Sequence, residues 1–160
     1  MKRPEIKTLQ NLEAAFAGES MAHIKYRYFA KIARAQGDEQ TAQVFEETAN
    51  QEVAHAFGHL DLLYPKEGLD SAACLEMAIA GETYEYTEMY PKFRETAVAE
   101  GNTSAVREID EQISESQEHA ERFRATLEKA AKRFAALAKV EERHANHYRE
   151  VLAKVKPAAA

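Results

Sequence analysis

The stretch AIAGETYEYTEMYP, residues 78–91, places Glu82 and Glu85 three positions apart inside an apolar helical pattern. Residues three apart stand on one helix face. Two carboxylates directed together into a core repel each other, and both lose hydration. Such a pair is kept mostly when positive charge sits between its members. Elsewhere the chain carries matching groups: a lone Glu19 in FAGES, Glu52-x-x-His55 in QEVAH and Glu141-x-x-His144 in VEERH. One carboxylate from each of two helices, plus Glu-x-x-His from each of two others, is the inward-facing ligand set of dinuclear iron or manganese carboxylate bundles. The Glu82 helix adds a further acid, Glu85.

Working outward from this stretch, its helix starts near Asp70, an N-cap residue, with Leu75, Ala78, Glu82, Glu85 and Met89 on one face. Pro91 removes a backbone donor one turn past Glu85, which predicts a kink there. Gly101-Asn102 ends the element. The preceding helix spans about Glu39–Tyr64, with Thr41, Phe45, Thr48, Glu52, His55, His59 and Leu62 facing inward, and Pro65 stops it. His59 reads as a packed or solvated histidine rather than a ligand. The first helix runs from about Pro4 to Gln36, with Leu9, Leu12, Phe16, Glu19, His23, Tyr26, Ala30 and Ala33 as its stripe. Gly37-Asp38 supplies a stop and a new cap.

Beyond Asn102 there is no Gly or Pro until Pro157. Val106, Ile109, Ile113, Ser116, Ala120, Phe123, Leu127, Ala130, Phe134, Leu137, Glu141, His144, Tyr148, Val151 and Val155 form one stripe without a phase slip. A single helix over 103–155 is about 80 Å long, more than a monomeric bundle of this size spans. Either the helix breaks near residues 128–132, or its distal half packs in a partner's bundle as a domain-swapped dimer; the unbroken stripe favours the second. A weak internal echo relates HAERFRATL, starting at His119, to HANHYREVL, starting at His144. Three positions before His119 stands Ser116, so only the later copy has the full Glu-x-x-His.

The 160 residues fit one domain with a real core. All but four of the 27 acidic residues are Glu, and the helix formers Ala, Lys, Arg and Leu are abundant. A net charge of −6 argues against nucleic acid or an anionic membrane as partner. No secretory leader or apolar run of membrane length is present, so a cytoplasmic location is expected. The one cysteine, Cys74, permits no internal disulfide and no all-cysteine metal site.

An oxygen-rich set with a few imidazoles and no thiolate suits iron or manganese better than structural zinc. Two ions bridged by Glu52 and Glu141 would offset the carboxylate charge, with Glu19 and Glu85 terminal on one ion and Glu82 and His144 on the other. His55 lies near the first ion. Bridged metal pairs clamp a small two-oxygen substrate, hydrogen peroxide or dioxygen. No nucleophile–base pair or phosphate-cradling glycine loop supports a hydrolase or kinase.

The chain resembles the rubrerythrin family, in its short erythrin- or sulerythrin-like form without a rubredoxin domain. NLEAAFAGES, ANQEVAHAFGHL, AIAGETYEYTEMYPKF and RFAALAKVEERHANHY carry the resemblance. It implies an all-α, ferritin-like four-helix bundle with two iron ions, or manganese or a mixed pair in their place. It implies a peroxidase that reduces hydrogen peroxide to water. Glu19, Glu52, Glu82, Glu85, Glu141 and His144 match ligands. His55 resembles the histidine that exchanges with the Glu85-type carboxylate as one iron shifts, and Tyr26 and Tyr90 match tyrosines that hydrogen-bond the acids. The chain departs from the family in two places. The Cys-x-x-Cys pairs are absent, which implies an external electron donor such as a rubredoxin or a reductase. The interval from Glu85 to the Glu141 motif is about 25 residues longer than the family pattern, and His119 lies near the usual spacing; the surrounding match favours Glu141 and His144. The competing functions are a dioxygen-using ferroxidase and a structural helical dimerisation module.

Overall fold

Three of the helix starts are set by caps written locally in the chain. The computed structural model describes residues 7–155; the expected helix start at Pro4 lies outside them. Helix α1 covers Thr8–Ala35 and α2 covers Glu39–Leu63. Between them Gly37 takes φ +80°, a left-handed conformation that costs glycine nothing. The Asp38 carboxylate then accepts the Thr41 N–H at 3.0 Å and starts α2. Asp70 repeats the device, accepting from Ala73 N–H at 2.8 Å to open α3, Ser71–Tyr84. A π-helical turn, Glu85–Met89, leads into α4, Tyr90–Ala99. Gly101 at φ +71° and the Asn102 side chain, 3.1 Å from Ala105 N–H, make the corner into α5, Thr103–Val155.

The described elements are helical throughout, as expected from the composition. The disturbance expected at Pro91 takes a particular form. The helix widens ahead of the proline, and Tyr90 N–H bonds the Glu85 carbonyl five residues back. This wider turn relieves the clash and the missing donor that proline brings. Helix α5 passes through residues 128–132 without a break.

Two contact units divide the chain, Met1–Leu69 and Asp70–Ala160. In the first, α1 packs on α2 through a seam of alanines. Ala30, Ala33, Ala42, Ala49 and Ala56 are all buried. Tyr26, Phe29 and Phe45 cluster beside it, Phe29 meeting Phe45 edge-on at 5.6 Å. Arg34 closes the end of the hairpin, bonding Glu39 and Glu46 at 2.9 Å each. These hydrogen bonds hold both carboxyls below their usual range. In the second unit α3, the π turn and α4 pack on α5. Among the described residues Ala97, Ser116 and Ala120 are buried there, and Arg94 ties α4 to α5 through Asp110 at 2.6 Å. Small side chains let helix axes approach closely, so the contact is made largely by backbone and Cβ atoms.

Candidate metal centre

In the first unit, one face of the α1–α2 hairpin brings together Glu19, Glu52 and His55. Their ligand atoms all lie within 4.8 Å of one another. The spacing of Glu52 and His55 puts both on the same turn-to-turn ridge, and Nδ1–H of His55 reaches Glu52 Oε2 at 2.8 Å. Glu52 is mostly covered and His55 is open, at 14% and 59% side-chain exposure, so solvent or a small molecule reaches the imidazole first. His23, one turn from Glu19 on α1, is occupied differently: its Nδ1 donates to the Ala49 carbonyl at 2.8 Å and pins α1 to α2. Tyr26 packs against Phe29 and Phe45.

In the second unit, Glu82 and Glu85 lie at the entry to the π turn, both half-buried. Isolated π turns are frequent at functional sites because they re-aim side chains within a helix. Here the turn begins at Glu85. Ser116 Oγ, itself buried, donates to Glu85 Oε2 at 3.1 Å. His119 Nδ1 lies 3.4 Å from Glu82 Oε1. Arg124 donates to Thr83 Oγ1 at 2.8 Å and fixes the same stretch of α3 against α5. Burial, and then the negative charge of Glu85 and Glu82, push the Tyr90 phenol above its ordinary pKa. The neutral phenol is thus favoured, a group that can donate a hydrogen bond near the acids but gives up its proton less readily than an ordinary tyrosine.

Glu141 and His144 pair with each other at 3.8 Å on the distal part of α5, with side chains 77% and 61% exposed. That is about 38 Å along the helix from the His119 turn. The structure thus brings His119, rather than His144, to Glu82, and Ser116 to the place where a carboxylate was expected. The signal for His119 was present in the sequence as its spacing from Glu85, with the missing Glu arguing the other way.

The donor set fits the metal class inferred for it. Glu19, Glu52 and His55 offer two carboxylates and one imidazole, hard and borderline donors with no thiolate, the pattern that suits iron or manganese.

The Rubrerythrin family model matches residues 10–127, a span that includes His119 and stops before Glu141. Nigerythrin of Nitratidesulfovibrio vulgaris is 40% identical over 128 residues, covering 72% of this chain and 63% of that protein. Rubrerythrin of Porphyromonas gingivalis is 40% identical over 133 residues, covering 76% and 66%. The chain thus spans slightly less than two thirds of the length of these relatives. Among solved structures, fully reduced, all-ferrous nigerythrin matches at 37% identity over 81% of this chain and 70% of that one, with a TM-score of 0.38.

Proposed function

Because the chain belongs to the rubrerythrin family of di-iron proteins, we propose that it is a peroxidase reducing hydrogen peroxide to water with electrons from an external donor. The observation that carries this reading is the convergence of Glu19, Glu52 and His55 within 4.8 Å, on the turns where the family pattern puts ligands. A ferrous pair held with the help of these residues would supply the two electrons that, with two protons, convert one peroxide to two waters. The remaining roles fall to the chain's own residues.

The proposed ligands are Glu19, Glu52 and His55, which converge within the first unit; by the resemblance Glu82 and Glu85 are proposed as ligands too, and within their own unit His119 stands beside Glu82. His55 is the exposed member of its triad, so it is the one free to change partners, as the resemblance to an exchanging histidine suggests. Glu85, held by Ser116 at the start of a π turn, is the matching mobile carboxylate. Tyr90, close enough to Glu85 and Glu82 to feel their charge, and Tyr26 on α1 are by the resemblance the tyrosines that would hydrogen-bond the acids holding the metal pair. The single cysteine, Cys74, leaves no thiolate iron site within these 160 residues. Electrons therefore come from a donor outside them, such as a rubredoxin or a reductase. No helix among the described residues is long and apolar enough to cross a membrane, and a cytoplasmic location goes with this proposal.

A second reading for the ligands follows from Ser116, which supplies no bridging carboxylate. In it, Glu141 and His144 of a second copy complete the centre in a domain-swapped homodimer. Iron content of His119→Ala against His144→Ala decides between the two.

The test of function is stopped-flow absorbance on anaerobic, Fe(II)-loaded protein mixed separately with peroxide and with dioxygen. Oxidation much faster with peroxide is expected. Faster oxidation by dioxygen would make the protein a ferroxidase, and failure to load iron would leave a structural helical module.

A further inference from the structure

The stripe that α5 presents to α3 continues past the end of its cover. Arg94–Asp110, Glu85–Ser116, Glu82–His119 and Thr83–Arg124 pair the two arms of the second unit antiparallel. Carried on at that register, Ser71 at the start of α3 falls opposite Lys132. From Phe134 onward the stripe is open: Phe134 is 72% exposed, Tyr148 71% and Val155 72%.

The spacing of this open stripe is that of a heptad, with Phe134, Glu141, Tyr148 and Val155 at one seam position and Leu137, His144 and Val151 at the other. It is also symmetric about its own midpoint, between Glu142 and Arg143. A second copy laid antiparallel on that midpoint sets Phe134 against Val151, Leu137 against Tyr148, and Glu141 against His144, each pair occurring twice. Every apolar seam residue meets an apolar residue, and each carboxylate meets an imidazole. On one flank Ala131, Ala138 and Ala145 allow the helices to approach closely, as Ala seams do within the two units. A concavity lined by Ala130, Phe134 and Leu137, between Lys129 and Arg133, opens on this face to receive an apolar side chain. A two-fold contact of this kind closes on itself.

We propose that a second copy of this chain pairs antiparallel along residues 134–151, around a central cluster of two Glu141 and two His144 side chains that binds a divalent cation of the zinc or ferrous class. Two carboxylates and two imidazoles converging on an axis make a four-donor set for such ions. The cation screens the two carboxylates, which otherwise approach each other along the axis. This rests on the first ligand reading above, in which His119 rather than His144 serves the centre of the bundle.

The test uses the full chain in a Cys74→Ser background, since Cys74 is exposed. Leu137→Cys and Tyr148→Cys are combined and oxidised mildly, at an ionic strength that screens the like charges of Arg133 and Lys154 flanking the seam. A disulfide-linked dimer is expected on a non-reducing denaturing gel from the double variant, and none from either single variant. Linking by a single variant, or no linking by the double variant, overturns the antiparallel pairing. Equilibrium dialysis against Zn²⁺ reads the cation site: His144→Ala should hold about one zinc fewer per two chains than the parent. Equal zinc content overturns the site. Iron loading keeps the two inferences apart. Loss of iron in His144→Ala would assign that residue to the iron centre and overturn this proposal, leaving the di-iron reading in place.

Discussion

The two halves of α5 carry weakly similar stretches in opposite circumstances. Around Ser116 and His119 the helix is covered by α3 and the π turn, and its side chains touch Glu85 and Glu82, but a serine stands where the motif wants a carboxylate. Around Glu141 and His144 the motif is complete, and both side chains are mostly exposed. A Glu-x-x-His spacing guarantees only that two groups share a helix face. Whether they can serve a site depends on what the opposite face brings, here Glu82 of α3 and Glu85 of the π turn. The proximal half has the acids without the full motif, and the distal half has the motif without the acids.

The largest expected effect separates the halves directly. His119→Ala should weaken Fe(II) binding by roughly 10–100-fold, the range for losing a group that supports a ligand, while His144→Ala leaves it unchanged; titration under anaerobic conditions reads both. Equal losses would erase the distinction.

Ser116→Glu sharpens the comparison from the other side. It completes the proximal motif but puts a third carboxylate beside Glu85 in a buried position. Metal-free protein should lose on the order of 3 kcal/mol in chemical denaturation, as for an unpaired buried charge. Iron should restore most of that loss and bind more tightly than in the parent.

Packing provides the next contrast. Ala120 is 0% exposed in the proximal seam, so Ala120→Leu should cost about 1–3 kcal/mol by overpacking. Ala136→Leu, on the outward side of the distal half, should stay within about 0.5 kcal/mol. Thermal melts of the two variants check this, and similar penalties would mean that the distal half is also enclosed.

The smallest effect is electrostatic. The hydrogen bond from Arg94 holds the Asp110 carboxyl below its ordinary value of 3.8. A carboxyl depressed by folding contributes stability above that ordinary value and loses it as pH falls through the lower folded value. Asp110→Asn should therefore lower the melting temperature slightly at neutral pH, and the difference should vanish in strong acid. The pair is exposed, so added salt should shrink the difference as well.

Much of this molecule was legible residue by residue. Gly37-Asp38, Asp70 and Gly101-Asn102 each set a helix boundary through bonds spanning only a few positions, so the caps appear where local reading puts them. The pairing of Glu52 with His55 is equally local, a consequence of helix geometry alone. The response to Pro91 was half legible. A proline must disturb the turn before it, but whether the helix kinks or widens into a π turn depends on how α3 and α4 both keep their contacts with α5.

By itself the sequence determined an all-helical pattern, the caps at Asp38, Asp70 and Asn102, and an acid-rich ligand class suited to iron, because each rests on backbone hydrogen bonding, side-chain period or donor chemistry within one segment; that the last helix runs on through residues 128–132 came from the structure. Only the tertiary structure decided which copy of the repeated motif meets Glu82 and Glu85. The stripe of α5 keeps the same period from Val106 to Val155, and a period cannot say where its cover stops. That limit is set by the length of α3 and the register of its contacts with α5. Those contacts join residues as distant in sequence as Thr83 and Arg124, a pairing that no local rule fixes.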